Sequence, residues 1–318
     1  MYYVGIDIGG MTIKAGLVDE NGRILAKKSC ATKPERHYSC LVADMYNLLA
    51  SLAQEQGIDF DKIKAIGIGC PGTVNTKKGI ITYSGNLNFI NVDIIKEFKK
   101  HTDLAVCVGN DANCAALGEV MFGGGKGTKN AILITLGTGV GTGFVVDGKI
   151  LEGVDGAGAE GGHICIKMDG QQCTCGEKGC WEAYASATAL MRITKEAMKN
   201  NPHSLMHKIV SEHGEVSGRT AFLAYKTGDK AGQEVVNEYV KNIAWGLVNL
   251  VNIFRPEIIM IGGGVSHEGE YFIKMIEKVV VKHAFGGKYN KVCPIVAAAL
   301  GNDAGIVGAA ALAMQEFN

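Results

Sequence analysis

One histidine and three cysteines stand close together in this sequence, at His163, Cys173, Cys175 and Cys180. Three thiolates and one imidazole are the complete ligand set of a tetrahedral structural zinc ion. Because such a set leaves no open coordination position, the metal would stabilise a loop and would not activate water. Reduced, metal-free cysteines are the alternative that the spacing leaves open.

A carboxylate flanks this cluster on each side, Glu160 before it and Glu182 after it. Carboxylates accept hydrogen bonds from hydroxyl groups, and a metal-stiffened loop would hold them in fixed directions. The pattern favours a scaffold that presents polar groups to a small hydroxylated ligand. As an isolated residue, either glutamate is more often a solvated surface carboxylate.

A glycine-rich turn near the N-terminus has groups suited to phosphate and Mg²⁺. Glycine lets backbone N–H groups approach phosphate oxygens closely, and an aspartate at a strand end can hold Mg²⁺ or its water shell. A lysine can reach a phosphate as a point charge. The residues are Asp7, Gly9, Gly10, Thr12 and Lys14. An ordinary hairpin with a bulge is the alternative.

Two further glycine clusters resemble parts of a nucleotide site. The turn 136–141 offers backbone amides with the Thr138 hydroxyl and Gly139, but fits neither the dinucleotide fingerprint nor the Walker A loop. The glycines Gly262, Gly263 and Gly264 end an apolar run, where a flat nucleoside ring could lie against the backbone. A tight strand-to-helix turn explains the cluster Gly262, Gly263 and Gly264 equally well.

Asn110 and Asp111 follow one predicted strand and precede a predicted helix. Strand ends present catalytic groups in open α/β sheets, and an ionised aspartate there can accept a proton from an attacking hydroxyl. Asn and Asp are also favoured helix N-caps, and position alone favours capping.

These groups require elements to position them, and the hydrophobic pattern predicts an α/β protein. Expected strands are Tyr3–Ile8, Ile13–Val18, Ile63–Gly69, Leu104–Val108, Ala131–Leu136, Gly143–Val146, Ile258–Ile261 and Val292–Val296. Expected helices are Leu41–Gln56, Asp93–Lys100, Asn113–Met121, Glu182–Lys199, Ala231–Phe254, Tyr271–His283 and Ala304–Glu316, with residues 200–219 more loop-like.

A weak internal repeat relates the first glycine turn to the turn at 136–141, because each follows a strand and leads into a returning strand. Two related halves are therefore expected. We place a small lobe at residues 1–111 together with the last helix, 304–318, and a large lobe at residues 112–303.

Composition excludes several classes of protein. The 318 residues include 32 Lys plus Arg and 32 Asp plus Glu, so no broad charge favours nucleic acid or anionic membranes. No apolar run is long enough to span a membrane, and the first residues lack a signal-peptide pattern. We expect a soluble, cytoplasmic protein with reduced cysteines, despite a total of ten.

Together these motifs resemble the ROK family of repressors, open reading frames and sugar kinases, and within it the bacterial glucokinases. The likeness covers nearly the whole chain, and the segment from Glu160 to Glu182 is its most specific part. It implies a two-lobed actin/hexokinase-like (ribonuclease H-like) ATPase fold with a zinc-binding loop. It also implies ATP-dependent phosphorylation of a hexose, most simply glucose, at the 6-hydroxyl, and a homodimer.

The resemblance assigns roles to individual residues. Asp111 is implied as the general base, His163 as a residue shared by zinc and sugar, and Asp7 as a neighbour of Mg²⁺. The implied hexose contacts are Gly72, Asn86, Asn110, Asp111, Glu160, His163 and Glu182. The implied ATP contacts are Gly9, Gly10, Thr12, Lys14, Thr138 and Gly139, with Gly262, Gly263 and Gly264 beside adenosine.

The chain departs from the family pattern at two positions. Met11 replaces the usual threonine after the paired glycines, and Gly161 stands where a bulky apolar residue is more common. Alternatives to a glucokinase are an N-acetylmannosamine kinase, a kinase of another hexose and a non-catalytic sugar-binding protein. A sugar-responsive repressor is disfavoured, because Asp7 leaves no room before it for a DNA-binding domain.

Overall fold

The computed structural model describes residues 1–287 and 289–318. The chain forms two compact units. Unit 1 comprises Met1–Leu133, Gly143–Ala159 and Ala298–Asn318, and unit 2 comprises Ile134–Thr142 and Glu160–Ala297. No helix among the described residues is long and apolar enough to cross a lipid bilayer.

Strands and helices alternate along the chain, as the predicted α/β class requires, and that class is confirmed. The strands are β1 (Tyr2–Ile8), β2 (Thr12–Asp19), β3 (Ile24–Ala31), β4 (Ile63–Cys70), β5 (Thr73–Asn75), β6 (Ile80–Ser84), β7 (Phe89–Asp93), β8 (Ala105–Asn110), β9 (Ala131–Leu136), β10 (Val140–Val146), β11 (Lys149–Ile150), β12 (Ile258–Gly262) and β13 (Ile295–Ala297). The helices are α1 (Tyr38–Gln56), α2 (Ile94–Phe98), α3 (Asp111–Phe122), α4 (Glu182–Ala185), α5 (Ala187–Asn200), α6 (Leu205–His213), α7 (Thr220–Lys226), α8 (Lys230–Phe254), α9 (Glu270–His283) and α10 (Ala304–Phe317).

The main sheet of unit 1 has the strand order β3-β2-β1-β4-β8. Strand β1 pairs antiparallel with β2 and parallel with β4, and β4 pairs parallel with β8. The carboxyl ends of β1, β4 and β8 therefore meet at one edge of the sheet, which is where open α/β sheets place ligands. A separate hairpin sheet, β5-β6-β7, is inserted after β4.

Helix α10 lies directly on the backbone of this sheet, and glycines make that approach possible. A Cβ atom added at Gly5 in β1 would lie 1.9 Å from the carbonyl oxygen of Ile306, and one at Gly67 in β4 would lie 1.8 Å from that of Ala309. Gly118 of α3 meets Gly308 of α10 in the same way, at 2.8 Å. Alanine at these positions would force the elements apart.

The division into units differs from the boundary expected after Asp111. Helix α3 belongs to unit 1, because its buried face packs with α10 around Cys114, Leu117 and Ile306. Residues 143–159 also belong to unit 1, where a Cβ at Gly156 would meet the Val74 carbonyl oxygen at 1.8 Å.

Unit 2 contains Cys173, Cys175 and Cys180, the cysteines of the predicted zinc site, and helices α4 to α9. The long helix α8 buries an apolar face, on which Tyr239 stacks with Phe272 at a ring-centroid distance of 6.3 Å. The fully buried Trp181 packs against Gly246 and donates from Nε1 to the Asn242 carbonyl oxygen at 2.9 Å. This contact fixes the chain at the end of the cysteine loop.

Some local structure differs from the sequence-based expectation. The single helix predicted over Glu182–Lys199 is broken at Ser186, which is extended (φ −72°, ψ 161°) and caps α5 by accepting from the Ala189 N–H. The loop-like stretch 200–219 contains α6. Strand β13 is shorter than the expected Val292–Val296 and shifted towards its C-terminal end.

Candidate active site

Asn110 and Asp111 lie at the carboxyl end of β8, and only Asn110 caps the helix that follows. Asn110 caps helix α3, because its Oδ1 accepts from the Asn113 N–H at 3.0 Å, while its Nδ2 donates to the Gly72 carbonyl oxygen at 3.1 Å. Asp111 is the first residue of the helix, and its Oδ1 accepts from the Ala112 N–H at 2.9 Å. The predicted capping role therefore falls to Asn110.

Gly72 adopts a conformation that only glycine tolerates well, with φ +107°. A Cβ there would lie 2.2 Å from the Tyr83 carbonyl oxygen, so the turn packs tightly on β6. The exposed Asn86 follows this strand, and its Cβ lies 3.7 Å from the position of a Cβ on Gly10. Gly72, Asn86, Asn110 and Asp111 thus gather near the first glycine turn.

The first glycine turn joins β1 to β2 and is internally bonded. The Gly9 N–H donates to the Thr12 carbonyl oxygen at 2.9 Å, and the Thr32 hydroxyl donates to the Gly9 carbonyl oxygen at 2.6 Å. Sequence reasoning missed Thr32, which is fully buried at the end of β3. Met11 is 85% exposed, so its thioether replaces the family's threonine without entering the core.

Asp7, the next-to-last residue of β1, lies beside a lysine and the N-terminal end of a helix. Its Oδ2 lies 3.5 Å from Lys14 Nζ, and Gly305 in the first turn of α10 approaches so closely that a Cβ there would lie 2.4 Å from the Asp7 Cγ. The positive end of the α10 dipole favours a carboxylate at that place. Burial nevertheless raises the pKa of Asp7, and Lys14 opposes the rise. A carboxylate in this setting is suited to a cation such as Mg²⁺.

The four predicted metal ligands come together in unit 2. Their ligand atoms all lie within 4.8 Å of one another. Cys175 Sγ lies 3.6 Å from Cys180 Sγ, and Cys173 Sγ lies 3.8 Å from His163 Nδ1. Metal–ligand bonds of about 2.0–2.3 Å in a tetrahedron give ligand-to-ligand edges of roughly 3.6–3.8 Å. The donor set and its spacing fit Zn²⁺, with Nδ1 of His163 as the ligand atom.

The two glutamates that flank the cysteines differ in their surroundings. Burial raises the pKa of Glu160, the His163 ring opposes the rise, and the charge of Glu182 adds to it. Glu182 is held by Oε2, which accepts from the Val140 N–H at 3.0 Å, and by Oε1, which accepts from the Thr174 hydroxyl at 3.0 Å. Sequence reasoning missed Thr174, whose position between two cysteines was the available signal.

The second and third glycine clusters meet within unit 2. Gly263, at φ +86°, directly follows β12 and packs against the end of β9. A Cβ on Gly263 would lie 2.4 Å from the Leu136 carbonyl oxygen. In the turn after β9, the Thr138 carbonyl oxygen accepts from the Thr188 hydroxyl at 2.8 Å. A Cβ at Gly139 would lie 2.3 Å from Glu182 Oε2.

The departure at Gly161 has a structural explanation in the neighbouring strand. The Gly161 N–H donates to the Thr142 hydroxyl at 2.8 Å, and a Cβ on this residue would lie 3.0 Å from the Thr142 side chain. A bulky residue would clash there, so threonine and glycine fit each other.

This chain combines aspartates at the carboxyl edge of a sheet, two glycine turns and a Cys₃His cluster. A ROK family model matches residues 3–316. The chain belongs to the ROK family. A glucokinase of Thermotoga maritima is 37% identical over 318 residues, covering 99% of this chain and 98% of the relative. The predicted family membership is thereby confirmed.

Solved structures agree with this assignment and with the predicted actin/hexokinase-like fold. A ROK family glucokinase from Streptomyces griseus, in complex with glucose and AMPPNP, has a TM-score of 0.83 and 36% identity, covering 99% of this chain and 100% of that one. A putative N-acetylmannosamine kinase from Listeria monocytogenes has a TM-score of 0.79 and 26% identity, with both chains fully covered.

Proposed function

We propose that this protein is an ATP-dependent hexose kinase that transfers the terminal phosphoryl group of ATP to the 6-hydroxyl of glucose. The observation that carries this proposal is the placement of Asp7 in β1 and of Asp111 directly after β8, since β1 and β8 both run parallel to β4 and their carboxyl ends meet at one sheet edge. One carboxylate can hold a cation and the other can accept a proton. The glucokinase relatives, similar over nearly the whole chain, support this chemistry.

Asp111 is proposed as the general base for the 6-hydroxyl. Phosphoryl transfer depends mainly on positioning and charge neutralisation, so the base needs a fixed direction more than a raised pKa. The Ala112 N–H bond to Oδ1 at 2.9 Å provides that direction.

The remaining sugar contacts are proposed for Gly72, Asn86, Asn110, Glu160, His163 and Glu182. Zinc bound at Nδ1 would leave the His163 proton on Nε2, which makes that nitrogen a donor to a sugar hydroxyl oxygen. The Cys₃His zinc is proposed to be structural, since its four ligands are all supplied by the protein.

Nucleotide binding is proposed for the glycine turns. Gly9, Gly10, Thr12 and Lys14 in unit 1 and Thr138 and Gly139 in unit 2 would contact phosphates, and Gly262, Gly263 and Gly264 would border adenosine. Mg²⁺ bound with ATP would be held near Asp7 and would neutralise phosphate charge.

A homodimer is proposed from an exposed apolar surface in unit 2. Trp245 contacts the His283 ring at a centroid distance of 4.8 Å, and the Phe285 N–H donates to Asn252 Oδ1 at 2.9 Å. Ile253 and Phe285 on this surface are 71% and 83% exposed. Exposed aromatic and aliphatic groups of this size favour an interface between proteins.

The proposal is tested by ADP release measured with glucose, mannose and N-acetylmannosamine. We expect glucose to give the highest kcat/KM, and preference for N-acetylmannosamine would favour the activity named for the Listeria protein. Asp111→Asn should lower kcat by at least about 10²-fold while glucose binding survives, since only the proton acceptor is lost. Asp61→Asn, which changes a solvent-exposed carboxylate, is the matched control. Near-normal turnover of Asp111→Asn would remove that residue from the role.

A further inference from the structure

A groove of about 610 Å³ lies in unit 1 between the edge strand β3 and helix α1. Its lining combines three cationic side chains, one carboxylate, and hydroxyl and amide groups. These residues are Lys28, Lys33, Arg36, Asp44, Asn47 and Ser51. None of them has a role in the proposed kinase reaction. We propose that this groove binds a phosphate dianion, either free or as a phosphate monoester, and that its occupancy is coupled to the nucleotide turn.

The charges on the groove lining favour an anion. Lys28 Nζ is satisfied by the Ser51 hydroxyl, at 2.5 Å, and by Glu55 outside the lining. Arg36 pairs with Asp44. Within the described residues, Lys33 forms no ion pair, so its positive charge is available to a ligand. Hydrogen bonds from lysine and arginine to phosphate are charge-assisted and therefore strong.

Arg36 also has an unused donor. Its Nε is buried and lacks a hydrogen-bond partner among the residues that the structure describes. Lys33 is held at φ +49°, in the left-handed region that lysine rarely adopts. Strained residues of this kind persist where the surrounding structure fixes them and are concentrated at ligand sites.

The groove is joined to the first glycine turn through one buried residue. Arg36 Nη2 donates to the Thr32 carbonyl oxygen at 3.2 Å. Thr32 makes two hydrogen bonds to the glycine turn. Its N–H donates to the Met11 carbonyl oxygen at 3.0 Å, and its hydroxyl donates to the Gly9 carbonyl oxygen at 2.6 Å. An anion that binds the Arg36 guanidinium will therefore change the hydrogen bond from Arg36 to Thr32, and with it the support that Thr32 gives to the glycine turn. Because coupling is reciprocal, nucleotide will change the affinity for the anion by the same factor.

The coupling rests on the proposed nucleotide-binding role of this turn, whereas anion binding does not. The full chain is titrated calorimetrically with inorganic phosphate and, separately, with glucose 6-phosphate. Each titration is made without substrates and again with saturating glucose and AMPPNP, which occupy the proposed substrate site. We expect saturable anion binding that persists when glucose and AMPPNP are saturating. Equal affinity for both probes identifies a simple phosphate site, and preference for glucose 6-phosphate identifies a sugar-phosphate site.

Lys33→Gln should weaken this binding about tenfold or more, because it removes a charge-assisted hydrogen bond. Lys62→Gln, an exposed lysine in the same unit, removes an equal charge and should leave the affinity within twofold. Arg36→Lys keeps the charge, and it should remove the difference in anion affinity between nucleotide-free and nucleotide-bound protein.

Three results would overturn the inference about the groove. These are absence of saturable anion binding, loss of binding once glucose and AMPPNP are present, and equal affinity in Lys33→Gln and the original protein. Anion affinity that is identical with and without AMPPNP would overturn the coupling. If the protein binds neither glucose nor AMPPNP, the proposed function fails, but the comparison of Lys33→Gln with Lys62→Gln still decides the groove.

Discussion

Replacing Thr174 by valine should weaken sugar binding through Glu182, without a direct contact between Thr174 and the sugar. The Thr174 hydroxyl donates to Glu182 Oε1, while the Val140 N–H holds Oε2. Valine has nearly the same shape, so the change removes one donor. A hydrogen bond to a charged acceptor contributes about 1.5–3 kcal/mol when buried, but Thr174 is exposed and water can replace part of it. We expect a loss of about 1 kcal/mol, which corresponds to a roughly fivefold rise in KM for glucose.

Steady-state kinetics of three variants test this reasoning. Thr174→Ser keeps the hydroxyl and should behave like the original protein. In Glu182→Gln the acceptor is altered, so adding Thr174→Val to it should cost little more, and the double-mutant cycle should show a coupling near 1 kcal/mol. The kcat of Thr174→Val should change less than twofold. Equal KM values for the valine and serine variants, or additive effects in the cycle, would refute the positioning role.

Three further predictions concern metal, stability and pH. Cys175→Ser should lower the zinc content measured by mass spectrometry and reduce the melting temperature, whereas Cys165→Ser, which alters a neighbouring thiol outside the cluster, should keep full zinc occupancy. Glu119→Ala should lower the free energy of unfolding by about 3–5 kcal/mol in denaturant titration, because it leaves the N–H groups of Gly124, Ala299 and Leu300 without their carboxylate acceptor; a loss below about 1 kcal/mol would contradict this. Burial raises the pKa of Asp7 above its usual 3.8, so its ionisation destabilises the fold as pH rises through that higher pKa. Asp7→Asn should therefore be more stable than the original protein at neutral pH but not below pH 3.8, and a stability gain that is the same at all pH values would show that the carboxyl charge is not the cause.

The buried strands could be predicted from the sequence, and the exposed ones could not. Strands β1, β4 and β9 are nearly continuous apolar runs, because both faces of each are covered. Strand β3 forms the sheet edge and carries Lys27 and Lys28, which interrupt its apolar pattern. The hairpin strands β5, β6 and β7 are short and half exposed, and a hydrophobic period does not reveal them.

The candidate site shows a similar division. The Cys₃His cluster was predicted because its ligands are near one another in sequence and chemically unusual. Thr32 and Gly305 act on the first glycine turn from distant parts of the chain, by a hydrogen bond to Gly9 and by close approach to Asp7. Nothing in their local sequence indicates that they support a functional turn. Only the tertiary fold shows which distant backbone supports a functional group.

The hydrogen-bond capacity left over at each proposed sugar contact limits how a hexose can be bound. Asn110 accepts one bond at Oδ1 from the helix cap and donates one Nδ2 hydrogen to Gly72, so it keeps one N–H donor and one oxygen lone pair. His163, with Nδ1 on a metal, can only donate through Nε2. The Glu182 carboxylate accepts from Val140, from Thr174 and, in the metal-free protein, from the Cys173 thiol at 3.6 Å; it retains further lone pairs and, as a carboxylate, can only accept. A hexose hydroxyl both donates and accepts, so it can pair with any of the three groups. A deoxy analogue leaves the facing donor or acceptor unpaired, and a fluoro analogue, which cannot donate, leaves an acceptor unpaired. Strong rejection of deoxy sugars, at positions other than the 6-hydroxyl, is therefore expected from the same hydrogen bonds that hold the site rigid.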